Sequence, residues 1–146
     1  MKKEMIDSLV KAGILRIKQK DTEKIKSLIK SAEIDAQVVK NIPLDENSTN
    51  TIFKGIYDSI RELGEANWLL LGYEPTNHDI SLEILKEINI KEKIKLNFLE
   101  RFKKIRHDAS YQGFRVTISQ AGEIIDFWNK CGEDIIKILR QESETS

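Results

Sequence analysis

A chain of 146 residues with 40% hydrophobic and 33% charged residues suits one domain with its own core, and it carries a single cysteine, Cys131, which cannot form an intrachain disulfide. Its 24 basic and 24 acidic side chains cancel, which argues against binding nucleic acid by bulk charge, and no apolar run is long enough for a signal peptide or a membrane span. A cytoplasmic protein with no membrane association is therefore the expectation.

The charge is unevenly distributed. Residues 1–30 hold nine basic against four acidic groups, residues 31–90 four against eleven, residues 91–106 seven against two, and residues 107–146 four against seven. A basic strip can thus exist on a neutral molecule, although a solvated helix face is the commoner outcome of such runs.

Taken in chain order, Ile6, Leu9 and Val10 predict a short helix ended by Gly13, and Ile14 to Lys18 reads as extended. This gives an N-terminal helical and extended segment over 1–20 packing on a helical domain over 21–141, with a flexible tail over 142–146. Residues 22–40 place Ile25, Leu28, Ile29, Ala32, Ala36 and Val39 on one helical stripe. The segment 41–50 is crowded with Asn, Asp, Ser and Pro and reads as the loop of a helical hairpin. A central helix follows over about 51–71, with Ile52, Ile56, Ile60, Leu63, Asn67 and Leu70 as its stripe, widened by Phe53, Tyr57, Trp68 and Leu71, and with Gly72 placed to cap it.

Thr76 and Asp79 have the spacing of a capping box, so the next helix is predicted to start at Thr76 and to bury Ile80, Ile84, Leu85 and Ile88; His78 reads as a turn residue. From about 92 a further helix should carry Ile94, Phe98, Phe102 and Ile105 inward and Lys95, Lys103 and Lys104 outward. Gly113 offers a bend. Thr117 and Gln120 form a second capping box, before a helix that buries Ala121, Ile124, Ile125, Trp128, Cys131, Ile135 and Leu139 and frays from Gln141. The fold class is all-α, an up-and-down bundle of about five helices.

One stretch holds most of the chemistry. Residues 101–111 crowd Arg101, Lys103, Lys104, Arg106, His107 and Tyr111 onto little more than one helix's length, a cluster suited either to phosphate binding or to local pairing with Glu100 and Asp108. Together with the segment Tyr57 to Tyr73, which ends in Leu69-Leu70-Leu71-Gly72-Tyr73, and with the Thr76-Asn77-His78 helix start, it resembles the HEPN family over roughly residues 22–140.

The resemblance implies a helical bundle that forms a homodimer, commonly with the arginine segments facing each other across the two-fold axis. Several members are metal-independent ribonucleases, often toxins paired with a minimal nucleotidyltransferase antitoxin. Their motif is an arginine and, after four to six residues, a histidine. The imidazole takes a proton from a ribose 2′-hydroxyl and the guanidinium stabilises the phosphorane. Here Arg106 matches the arginine, His107 fills the polar position after it, and Tyr111 stands where the commonest spacing has histidine. A phenol of pKa ~10 is a poor general base at neutral pH, so the motif is degenerate.

Arg101 and His107 also satisfy the interval, but a six-residue helical step sets them about 120° apart around the axis. The resemblance thus leads to a binding protein for RNA, for a nucleotide or for a nucleotidyltransferase partner, in which Arg101, Lys103, Lys104, Arg106 and Tyr111 bind. A ribonuclease using Arg106 or Arg101 with His107, and a purely structural dimerisation module, are the alternatives. Two histidines and one cysteine cannot supply a structural zinc site, and no glycine-rich phosphate loop appears, so no metal or cofactor is expected.

Overall fold

In the computed structural model, which describes residues 1–145, the chain is an all-α helical bundle with one small two-stranded sheet. Helix α1 (Lys3–Lys11) and strand β1 (Leu15–Ile17) precede a long hairpin of α2 (Thr22–Lys40) and α3 (Thr49–Leu70). Strand β2 (Tyr73–Pro75) and the short helix α4 (Asp79–Glu83) lead through 3₁₀ turns to α5 (Phe98–Tyr111). The chain closes with α6 (Ile118–Phe127) and α7 (Glu133–Glu144), joined by a π-helical stretch at Trp128–Gly132.

The stripes read from the sequence form the core, except that Leu71, which follows the last residue of α3, is 50% exposed. Ile25, Ile29, Ala32 and Ala36 of α2 meet Ile52, Phe53, Ile56, Ile60 and Leu63 of α3, and Ile124, Cys131, Ile135 and Leu139 close the bundle from the other side. Asp21 caps α2 by accepting from Lys24 N, and Thr117 with Gln120 forms the expected reciprocal box on α6. The hairpin loop is held by Asp45, whose Oδ1 accepts from the amides of Asn47 and Ser48. Burial pushes the Cys131 thiol up to about 11, so it stays an inert core group.

A second, smaller core holds the N-terminal segment in place. Ile6, Leu15, Ile80 and Ile84 surround Trp68, whose Nε1 donates to Ile80 O at 2.9 Å. Strand β1 runs antiparallel to β2, with Leu15 opposite Pro75 and Ile17 opposite Tyr73. Gly72, at φ 94°, makes the left-handed turn from α3 into β2.

Several expectations are overturned. Thr76 does not cap a helix: its hydroxyl donates to Gly13 O and Ile14 O at 2.7 and 2.9 Å, because the β1–β2 pairing brings those carbonyls within reach. The amide of the second residue of α4 is instead satisfied by Asn77, whose Oδ1 accepts from Ile80 N at 3.2 Å. Ile94 and Phe98 do not point inward but are 79% and 42% exposed. The turn over Lys93–Asn97 is 3₁₀ rather than α, and its tighter winding buries Leu96 and Leu99 in their place.

Lys103 is not free in solvent either, since it packs between Glu83 and Glu100. The C-terminal segment does not fray at Gln141. Helix α7 continues to Glu144 with Ser143 buried, and Arg140 docks it to α2 through a two-bond pair with Glu33 at 2.9 and 3.2 Å. Ser146 lies outside the described residues.

Candidate phosphate-binding cavity

A cavity of ≈ 890 Å³ opens between α3, the start of α4 and α5. The three elements reach it for separate reasons. Phe102, 1% exposed, pins α5 into the bundle by edge contacts with Phe53 at 6.0 Å and Phe127 at 5.4 Å. The i, i+4 spacing of Tyr57 and Arg61 puts both on one face of α3. Helix α4 is seated against Gly64 of α3, where the missing side chain lets the Ser81 backbone come close, and this brings His78 and Asp79 to the cavity mouth.

All six residues singled out in the sequence, Arg101, Lys103, Lys104, Arg106, His107 and Tyr111, line this cavity, but they are differently engaged. Arg101 turns to α6, where its Nε and Nη2 donate to Glu123 at 2.9 and 3.1 Å. Arg106 lies on the other flank of α5, towards α3, and donates from Nη1 to Ser110 Oγ. Its Nε is buried without a hydrogen-bond partner among the described residues. Lys104 makes no ion pair among them. The His107 and Tyr111 rings pack against each other, centroids 4.8 Å apart and planes tilted by 43°. The two guanidiniums named in the sequence therefore do not work as a pair: about 140° separates their positions around the helix axis, and Glu123 claims one of them.

The residues that complete the cavity were not legible as a site. Tyr57, Arg61 and Asp79 stand around Arg106, and Tyr57 lies within electrostatic reach of all three. Tyr57 reads in sequence as an apolar-stripe residue, which it also is, 6% exposed and stacked on Phe53 at 6.4 Å. The hint was the recurrence of polar groups, Tyr57, Asp58 and Arg61, along one side of α3. His78, read as a turn residue, opens onto the same cavity. Across the whole lining five Lys and Arg side chains face four Asp and Glu. The balance is close to neutral, so recognition of an anion would depend on where the cations sit.

Burial pushes the Tyr57 phenol up to about 12; Asp79 and Asp58 add to this, and Arg106 and Arg61 partly oppose it. The group is thus a neutral O–H donor at any physiological pH. Because the folded protein holds this proton more tightly than the unfolded chain, the contribution to stability is complete below about pH 10 and is lost as pH rises from there towards about 12. Urea unfolding should show stability falling across that window by on the order of 1 kcal/mol more in the wild type than in Tyr57→Phe. Equal slopes in the two proteins would contradict this environment for Tyr57.

Among the described residues no group of three or more His, Cys, Asp or Glu side chains is placed to hold a metal ion, and no helix is long and apolar enough to cross a membrane. No protein-family model, curated protein or solved structure matches the chain.

Proposed function

We propose that this chain is a HEPN-like helical protein, acting as a homodimer, that binds the phosphate of RNA or of a nucleotide in the cavity between α3 and α5, with its ribonuclease motif in degenerate form. The observation that carries the reading is the buried Nε of Arg106, a charged donor with no partner among the described residues, beside Arg61 and the neutral donor Tyr57. A buried guanidinium N–H left unmade is costly, and a phosphate oxygen is the acceptor that best repays it. The resemblance adds a nucleotidyltransferase-type protein as the partner class and a toxin–antitoxin pair as the setting.

Binding of a fluorescent single-stranded RNA, measured by polarisation between 50 and 200 mM salt, tests the reading. Arg106→Ala and Arg61→Ala should each weaken binding about tenfold and flatten its salt dependence. Arg101→Ala should do less, since Glu123 already neutralises that side chain. Unchanged affinity in both Arg106→Ala and Arg61→Ala would remove the cavity from the account, and a monomer in light scattering at micromolar concentration would remove the dimer.

One observation favours a second reading, a metal-independent ribonuclease: both histidines of the chain line the cavity that holds Arg106. One imidazole would take the 2′-hydroxyl proton as the 2′-oxygen attacks phosphorus, and a protonated one would supply the proton to the departing 5′-oxygen. Incubating RNA with the protein in chelator decides between the two, because cleavage that disappears in His107→Ala marks an enzyme, and intact RNA leaves binding alone.

A further inference from the structure

We infer that Tyr111, backed by His107, is a nucleobase-stacking subsite at the rim of the cavity, so that the ligand is one carrying an unstacked base beside its phosphate. The inference rests on the phosphate reading above and narrows it to a chemical class.

Tyr111 is 76% exposed at the last turn of α5, a position where an aromatic ring contributes little to the core. It is nonetheless held. His107, one helical turn earlier, presses on it at 4.8 Å, which fixes the ring's orientation before any ligand arrives and lowers the ordering cost of stacking. Lys104 lies two turns before Tyr111 on the same face of α5, exposed and without an ion pair among the described residues, and Arg106 with its unpartnered Nε lines the same cavity.

An open aromatic face with Lys104, unpaired among the described residues, on the same helix face, and Arg106 on the adjoining wall of the cavity, matches the repeating unit of a single strand, a π-face and a negative charge on adjacent groups. A duplex keeps its bases stacked inside and offers no free face to Tyr111. A phosphopeptide supplies the anion but not the ring. A mononucleotide and a single-stranded RNA share the required chemistry.

The experiment compares adenosine monophosphate, a short single-stranded RNA and the same strand with its bases removed, on the full chain and on Tyr111→Ala and Tyr111→Phe. The expected result is that the intact strand binds about 5- to 100-fold more tightly than the abasic one, that Tyr111→Ala abolishes this difference, and that Tyr111→Phe keeps it. Adenosine monophosphate binding with the same dependence on Tyr111 assigns the subsite to nucleotides generally; its failure beside a binding strand assigns it to RNA.

Equal affinity for intact and abasic strands overturns the base subsite while leaving the phosphate reading standing. Failure of both strands to bind overturns the phosphate reading and the subsite with it. A Tyr111→Ala protein that changes its oligomeric state in light scattering while binding both strands equally would assign the ring to a protein interface and overturn the proposal.

Discussion

Gly64→Ala is expected to destabilise the protein by about 3 kcal/mol or more and to lower its melting temperature by roughly 6–12 °C. On an exposed helix the same exchange would stabilise, since alanine outranks glycine as a helix former by about 1 kcal/mol. Here the added Cβ would stand 2.0 Å from Ser81 O and 2.7 Å from its carbonyl carbon. Those are backbone atoms of α4 and cannot swing aside like a side chain, so the whole helix must retreat. Ile80 O accepts from Trp68 Nε1 one residue away, and its retreat would strip a buried indole of its partner.

Urea denaturation measures the loss, and Gly122→Ala on α6, where nothing lies within 4 Å of the added atom, is the control that should be neutral or slightly stabilising. Wild-type stability in Gly64→Ala would mean that α4 is not seated on α3 in this way. Because α4 carries His78 and Asp79 to the cavity, residual folded Gly64→Ala protein should also bind RNA less well than the wild type.

The second large effect is expected from Phe102→Ala, at about 3–5 kcal/mol. Phe102 touches three aromatic rings, Phe53 of α3, Phe127 of α6 and Phe98 of its own helix, and truncation would leave a void that fixed neighbours cannot fill. With Leu99 and Ala109, Phe102 forms the buried face of α5, and it is the largest side chain of the three on the helix that presents Arg106, His107 and Tyr111. Phe102→Leu retains much of the buried volume and should cost markedly less. If Phe102→Ala and Phe102→Leu unfolded at the same urea concentration, the volume that this side chain fills would not be what seats α5.

How much of this was legible in the sequence differs from element to element. The helices with a wide, regular apolar stripe were readable because their burial repeats with the helical period, and α2, α3 and α6 follow the spacing of Ile25, Ile52 and Ile124 and their partners. The cap of α6 was readable because Thr117 and Gln120 satisfy each other locally, without help from the rest of the chain. Thr76 and Asp79 present the same spacing and behave otherwise, since the Gly13 and Ile14 carbonyls, more than sixty residues away in sequence, take the Thr76 hydroxyl first.

The cationic segment of α5 was visible as composition, and composition cannot say which charge stays unpaired. That depends on Glu123 of α6 taking Arg101, on Glu83 and Glu100 taking Lys103, and on α3 presenting Tyr57 and Arg61 beside Arg106. The sequence by itself determined an all-α chain and the residues able to bear charge, because periodicity and capping act over a few residues. Only the tertiary structure decided that Arg106 rather than Arg101 keeps an open donor, because pairing and desolvation are settled between elements far apart in the chain.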